Sequence, residues 1–480
     1  MEEDIYLSWQ KEFSDLDLGD PRLTKRFLTV LSDLSLHPPA SLYASSAGVQ
    51  SKMKAAYRLM DQEKLEVETL WSHHQQKTME RINQHPVVLL ISDTTVFNFE
   101  NHPAVRGLGR IGKRMNGRQT ESQGLQCHNI LAVTAKKLPL GILDQQIYAR
   151  KPKEAGVDEK ALGSRPYLEK ESSRWALNLA KSVQGSEGVR TKLIAVSDRE
   201  SDINAYLGSA LDLKIDFVVR SKVARSEHET KKKLSQYMSE LPVQGSFKLD
   251  VIKRNRKTGC RRKPKERLRR AVYRTAELEV KWSEVCLQVG NIFDEKRIER
   301  LRCISVKEKN PPTPEDRIEW MLVTSLGVES FKKAKEVIEY YSVRWIIEVF
   351  HKMLKTGGCD VEKCCLQTRE RIERYITMES LVALRLTQLT YYQRCYPEAS
   401  CTLVVDELSW QTAFCITNQT SVFPDHPPTA GEFTTMVAKL GGYLNRNSDP
   451  WPGGIVLRRG WERLQDMRAG YELFKNQTCG

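Results

Sequence analysis

Two short stretches limit the architecture of this chain more than any others. They are Val87-Val88-Leu89-Leu90-Ile91 and Leu193-Ile194-Ala195-Val196, and each is followed at once by Ser-Asp. Unbroken apolar runs of this length predict strands buried on both faces, which need structure packed above and below them. Further strand signals stand at 128–135 and 138–148, a hairpin turning at Lys136-Lys137, and at 215–221 and 320–324. Helical patterns lie among them at 171–184, 202–209 and from about Val328 to Thr356. Strands mixed with helices in this order predict an α/β chain with a central sheet flanked by helices.

The remaining segments differ in character. The first 85 residues read as helical: Asp20-Pro21 is a helix start, Leu23, Phe27, Val30 and Leu31 supply an apolar face, and Pro38-Pro39 ends the run. A second run, 53–60, carries Lys54 and Arg58 beside Tyr57. Residues 225–315 alternate β-type runs (247–252, 272–280, 285–289, 302–306) with charged turns, an antiparallel insertion. After Gly357-Gly358 the chain reads as mostly helical, ending in an amphipathic helix from Leu457 to about Phe474. A length of 480 residues suits roughly three domains.

Charge points to a polyanionic partner. Lys and Arg total 75 against 61 Asp and Glu, a net +14. Residues 253–274 alone hold twelve Lys or Arg against one acid, Glu266. Such a run repels itself unless phosphates neutralise it, with release of condensed counterions. A second basic cluster, 106–118, includes Gly107-Leu-Gly-Arg-Ile-Gly112-Lys113. It is no nucleotide-binding loop, because Arg114 stands where a Ser or Thr would hold magnesium. Lys113 and Arg114 are instead expected on DNA, with no nucleotide cofactor. Eleven cysteines without a Cys-x-x-Cys pair suit neither a zinc knuckle nor a disulfide framework. The acidic N-terminus has no apolar signal segment and no stretch approaches a membrane span. The expectation is a cytoplasmic protein with no membrane contact.

Chemistry is concentrated on one helix. Taking about 100° per residue with Tyr341 at zero, Arg344 falls at about 300°, Glu348 at about 340°, Lys352 at about 20° and Lys355 at about 320°. His351 flanks this stripe and Trp345 lies on the same polar side, while Val343, Ile346, Ile347, Phe350, Met353 and Leu354 face the opposite way. An ordinary surface helix mixes Glu and Lys in i,i+4 pairs. A single carboxylate ringed by cations suits phosphates and a metal between them, with Tyr341 and Trp345 able to stack on DNA. Asp93 and Asp198, each after an apolar run, sit near the carboxyl ends of strands, where open α/β sheets gather ligands. Three carboxylates suffice for magnesium, which keeps several waters.

The spacing Tyr341-x-x-Arg344-x-x-x-Glu348-x-x-x-x-x-x-Lys355 resembles the Y-R-E-K signature of bacterial DDE transposases of the insertion-sequence-four group. Similar segments are Leu18-Gly-Asp-Pro-Arg22, Asp93-Thr-Thr, Asp198-Arg-Glu, Phe217-Val-Val-Arg-Ser-Lys222, Asn310-Pro-Pro, Phe350-His-Lys352, Leu440-Gly-Gly-Tyr and Trp461-Glu, so the resemblance spans almost the whole chain. It implies an RNase H-like catalytic core (71–224 and 316–370) interrupted by a β-rich insertion (225–315). A helical N-terminal domain (1–70) would bind the transposon end and a helical C-terminal domain (371–480) would dimerise. Asp93, Asp198 and Glu348 would hold two Mg2+ ions, with Mn2+ substituting. Tyr341, Arg344 and Lys355 would contact the DNA backbone and Trp320 would stack on a flipped base. Arg22, Arg199, Arg220 and Lys222 lie in matching segments and join His351, Lys352, Trp345, Lys54 and Arg58 as expected DNA contacts. The implied partners are transposon-end and target double-stranded DNA and a second copy of the chain, on a bacterial nucleoid. The implied reaction is cut-and-paste: nicking, hairpin formation and opening, then joining to target. The family's Arg-Glu-Ala-Asp after the second acid here reads Arg199-Glu200-Ser201-Asp202. Two rivals are a non-enzymatic DNA-binding regulator derived from a transposase and a different RNase H-like nuclease that joins no ends.

Overall fold

The computed structural model describes residues 9–38, 41–46, 48–111, 114–115, 118–119, 122–150, 165–186, 189–222, 224–253, 272–446, 449 and 451–478. They form two compact units: Met1–Ser164, Leu177–Leu193 and Val343–Gly480 in the first, Arg165–Ala176 and Ile194–Ser342 in the second. Both are needed to account for the mixed α/β pattern.

The first unit opens with helices. Helix α1 (Pro21–Leu36) begins where the sequence says it should: Asp20 Oδ1 accepts the Arg22 N–H at 2.8 Å, proline fills the first turn, and Leu23, Phe27, Val30, Leu31 and Leu34 are buried. Helices α2 (Gln50–Met60) and α3 (Val67–Ile82) follow. Strand β1 (Val87–Asn98) pairs antiparallel with β2 (Gln123–Thr134), Val88 opposite Thr134 through Asn98 opposite Gly124. Strand β3 (Pro139–Tyr148) returns beside β2 through the expected turn, where Lys137 takes the left-handed conformation at φ 76°. Helix α3 packs on β3.

A buried polar cluster ties the chain's first helical turn, Trp9–Glu12, to α3 and β3. Glu12, 2% exposed, accepts two hydrogen bonds from Arg81 at 2.9 and 3.1 Å and one from His74 Nδ1 at 2.6 Å. His74 Nε2 accepts the Ile142 N–H at 3.0 Å, so the imidazole is neutral with its proton on Nδ1. Burial alone would raise the Glu12 carboxyl; His74 and Arg81 outweigh it and hold the group well below the usual carboxylate range.

The C-terminal helices belong to the same unit. Helix α9 (Arg369–Cys395) is buried on nearly every side and lies against β3. Its hydroxyls turn inward on the helix itself, Thr387 Oγ1 to the Ala383 carbonyl at 2.7 Å and Thr390 Oγ1 to Leu386 at 2.8 Å. Helices α10 (Glu407–Asn418), α11 (Ala430–Leu440) and α12 (Gly454–Thr478) share a core of Trp410, Phe433, Val437, Leu457 and Leu464. The α11–α12 crossing depends on glycines: a Cβ on Gly460 would stand 1.7 Å from the Val437 carbonyl oxygen, and one on Gly441 2.0 Å from that of Val456.

The second unit is built on a sheet whose strands lie in the order 192–197, 216–220, 319–324, 296–308, 272–290 and 245–253. Strand β4 (Lys192–Ser197) pairs in parallel with β5 (Asp216–Arg220), the crossover being α5 (Asn204–Asp212). Strands β6 (Gly245–Lys253), β7 (Val272–Gly290) and β8 (Lys296–Glu308) are antiparallel, as the insertion predicts, and β9 (Glu319–Thr324), expected beyond the insertion, pairs antiparallel with both β8 and β5. The sequence divides 272–289 into two strands; β7 is one strand of 19 residues. The charged stretch Lys281–Glu284 keeps pairing with β8, Arg302 across the ladder meeting Glu284 and Lys281 donating to the Ser239 carbonyl at 2.9 Å. Helix α6 (Leu234–Glu240) precedes β6. The expected long helix 328–356 is three pieces: α7 (Phe331–Val343), α8 (Trp345–Lys352) and a π-helical turn, Met353–Gly357. Helix α4 (Arg174–Ser182) lies between β3 and β4 in the chain, and from Leu177 onward it belongs to the first unit.

Because Arg81 would be left as an unpaired buried charge, Glu12→Gln is expected to cost about 3–5 kcal/mol in urea unfolding at neutral pH. A carboxyl depressed on folding stabilises above its unfolded value of about 4.3 and loses that contribution as pH falls toward its folded value. The gap between variant and wild type should therefore close in acid; a gap constant down to pH about 3 would contradict the assignment.

Candidate active site

Strand β1 carries the first acid. The expectation placed Asp93 near a strand end, but β1 continues through Asn98 and Asp93 stands in its middle, opposite Asn129 of β2. The strand persists because Thr95 and Phe97 keep the buried alternation after the apolar run ends. Asp93 Oδ1 accepts the Thr94 N–H at 2.8 Å, and Thr94 Oγ1 meets His128 Nδ1 at 2.9 Å.

Helix α8 carries the second acid. Ile346, Ile347 and Phe350 are buried as the helical angle requires, and Glu348 stays 41% exposed at its side chain. Arg344 joins the two acids: its Nη1 lies 3.4 Å from Asp93 Oδ2 and 3.2 Å from Glu348 Oε1, with Nη2 3.3 Å from the same Glu348 oxygen. The guanidinium side chain is only 14% exposed. Two carboxylates this close repel, and the cation between them offsets that repulsion in partly desolvated surroundings.

Lys355 and His351 do not lie where an ideal helix puts them. The π-turn, in which Lys355 has ψ −118°, carries the Lys355 ammonium to the Val96 carbonyl at 2.5 Å, with Glu362 Oε1 at 3.7 Å. His351, expected among the DNA-facing cations, is buried at 7% exposure and accepts at Nε2 from Asn129 Nδ2 at 3.0 Å. Burial first, then the nearby Lys355 and Arg344 charges, push its pKa down to about 3. Its place at the boundary between the polar and apolar faces explains the difference: a small turn of the helix puts it inside. Asn129 Oδ1 accepts from Gln145 Nε2 at 2.7 Å, and that amide also reaches Ser380 Oγ at 2.8 Å. Neither Asn129 nor Gln145 was singled out from sequence; the signal available was a polar interruption, Gln126 to Asn129, in a strand buried from Gly124 onward.

The third acid belongs to the second unit. Asp198 directly follows β4 and caps the turn Arg199–Ser201, its Oδ1 accepting the Glu200 N–H at 2.9 Å. Ser201, the departure from the family pattern, is buried and bonds back to the Asp198 carbonyl at 2.8 Å. Asp202 accepts the Lys222 N–H at 2.6 Å and the Ser221 hydroxyl at 3.0 Å, fixing the segment after β5. Tyr341, expected on a polar face, is 5% exposed and packs edge-on to Trp320 with centroids 5.7 Å apart. Arg220 donates to the Glu319 carbonyl at 2.9 Å, whereas Arg199 and Lys222 are exposed. In the first unit Trp345, Lys352, Arg22, Lys54 and Arg58 are exposed too. Lys113 and most of the 253–274 run lie outside the described residues, and Arg114 is described only as backbone, paired with Gln119.

Asp93 and Glu348 offer only hard oxygen donors beside a partly open surface, a donor set that suits magnesium or manganese. Among the described residues a different cluster, Glu227, Glu229 and Cys286, also brings donor atoms together. There the Glu227 carboxylate is taken up by the N–H groups of Glu229, Thr230 and Cys286 at 3.1, 2.5 and 3.2 Å, a loop clasp.

With this geometry in hand, two family models match the chain: one described as Transposase DNA-binding over residues 8–65, and one described as Transposase DDE domain over residues 179–385. The class these define is a DNA-binding enzyme that depends on divalent metal. More particularly, the chain carries the DNA-binding and catalytic domains of a DDE transposase, and the catalytic match contains Asp198 and Glu348. None of the described helices is long and apolar enough to cross a membrane.

His351 is buried neutral, so it stabilises the fold above its unfolded pKa of about 6.5 and loses that contribution progressively as pH falls toward its folded value. His351→Gln should remove this part of the pH dependence of urea unfolding between pH about 6.5 and about 4. A slope identical to wild type would mean that the imidazole is not held neutral by burial.

Proposed function

We propose that Asp93, Asp198 and Glu348 form the metal-binding triad of a cut-and-paste transposase of the insertion-sequence-four group, close to the Tn-five transposase. The observation that supports this most is Arg344, which holds Asp93 and Glu348, residues far apart in sequence, at hydrogen-bonding distance on one guanidinium. Two Mg2+ ions, or Mn2+ in their place, would supply Lewis acidity to the attacking and leaving oxygens. The protein's part is to keep the carboxylates aligned and partly shielded. Arg344 and Lys355 would exchange their internal partners for DNA phosphates near the cleaved bond, joined by the exposed cations Lys352, Arg199 and Lys222. Trp320 would stack on an extruded base, with Tyr341 buttressing the ring.

Each chemical step exchanges one P–O bond for another. Water cuts the first strand and leaves a 3′-hydroxyl; that hydroxyl attacks the opposite strand, closing a hairpin and releasing the flanking DNA. A second water reopens the hairpin, and the recovered 3′-hydroxyl attacks target DNA. Residues 8–65 would recognise the transposon end, the C-terminal helices would pair two copies of the chain on DNA, and the protein would act on the bacterial nucleoid.

Gel analysis of an end-bearing duplex with Mg2+ tests this reading. Asp93→Ala, Asp198→Ala and Glu348→Ala should each abolish nicking while end binding persists; cleavage surviving any one of them removes that residue from the triad. Nicking by wild type without a hairpin or joined product would leave a nuclease instead. Arg344→Ala and Lys355→Ala should each lower the slope of log affinity against log salt by about one phosphate's worth, roughly 0.9. An unchanged slope would place both side chains away from phosphate.

A further inference from the structure

In a chain of net charge +14, the first unit holds one strongly acidic recess. Its walls are the segment leading into α3, the outer end of β3, α4 from Leu177 onward and the first turns of α9, enclosing about 430 Å3. Six carboxylates line it: Glu63, Glu66, Glu68, Asp144, Glu370 and Glu373. Only two cations do, and both are committed. Lys181 pairs with Asp144 at 3.3 Å, and Arg374 donates to the Met60 and Leu65 carbonyls at 2.9 and 3.1 Å. Glu373 has Arg369 at 2.6 Å. Glu63, Glu66, Glu68 and Glu370 have no ion-pair partner among the described residues.

The floor supplies an independent observation. Gln145 is 5% exposed and its Nε2 is used twice, on Asn129 and Ser380, yet its carbonyl oxygen Oε1 has no hydrogen-bond partner among the described residues. Buried acceptors are rarely left so, and this one borders the recess. Apolar side chains complete the lining, with Leu65 and Ile147 inside and Leu177 41% exposed. Burial raises the Asp144 and Glu373 carboxyls above the ordinary range, and the charge of Glu68 raises both further. The acids therefore feel one another across the space.

We propose that this recess binds an organic cation borne on an aliphatic stem, in the manner of an alkyl polyamine. DNA is excluded by like charge. A bare divalent ion is disfavoured because no three of these acids converge on a common point among the described residues. The space is also many times the roughly 30 Å3 that one water occupies. Ammonium groups would meet the rim carboxylates, one would donate to Gln145 Oε1, and methylenes would lie on Leu65, Ile147 and Leu177. The same chemistry is offered by a free polyamine and by lysine or arginine side chains such as those of the 254–271 run.

The test is calorimetric titration of the full DNA-free chain with spermidine at fixed ionic strength, repeated with MgCl2 and with a peptide of residues 254–271. One saturable spermidine site is expected. It should weaken about tenfold or more in Glu68→Gln/Glu370→Gln, and also in Glu63→Gln/Glu66→Gln as a second pair should the first melt differently from wild type. Asp93→Ala/Glu348→Ala should leave it unchanged, which separates this site from the proposed metal centre. Displacement of spermidine by the peptide would identify basic side chains as the source of the cation; no displacement identifies the free polyamine. Affinity unchanged in the glutamine pairs, or Mg2+ binding as tightly as spermidine, would overturn the proposal.

Discussion

The first unit is organised around a repulsion that has to be cancelled. Asp93 comes from a strand and Glu348 from a helix more than two hundred residues later, and the two carboxylates come together only because Arg344 lies between them. That guanidinium is fixed in turn by the depth at which α8 is buried. Ile346, Ile347 and Phe350 leave the helix one orientation, and the chain of hydrogen bonds through His351, Asn129 and Gln145 holds the polar edge of that orientation against β2 and β3. A neutral histidine suits the position because it can accept from an amide without bringing a third cation beside Arg344 and Lys355.

How much of this was legible in the sequence depends on the range of the forces involved. Strands β1 and β4 were readable because burial on both faces writes an unbroken apolar run. Helix α1 was readable because Asp20 and Pro21 act on their own neighbours. The core face of α8 followed from angle alone. What failed was whatever depended on distant partners. Asp93 looked terminal because polar threonines follow it, but β2 supplies the pairing that extends the strand. Residues 281–284 looked like a turn because they are charged, yet β8 pairs with them and Arg302 meets Glu284. Tyr341 has the angle of a surface residue and is covered by Trp320, from a strand twenty residues earlier. Helix α9 spreads its apolar residues around its circumference and so gives no one-sided stripe, the mark of a helix enclosed by its own protein.

Serine at position 201 illustrates how a departure from a family pattern can be absorbed. Its added hydroxyl would be costly inside a protein if it had no acceptor. It finds the Asp198 carbonyl and the neighbouring Ser197 hydroxyl, so the turn beneath the acid gains a brace and loses no space.

The π-turn at Met353–Gly357 sets a different kind of requirement on this chain. The helix kinks inside this turn, where Lys355 leaves helical backbone at ψ −118°, and that kink brings its ammonium onto the Val96 carbonyl of β1. Exchanging one side chain for another in the segment leaves the count intact. Losing or gaining a single residue would rotate everything beyond it by about 100° and carry the lysine off the strand.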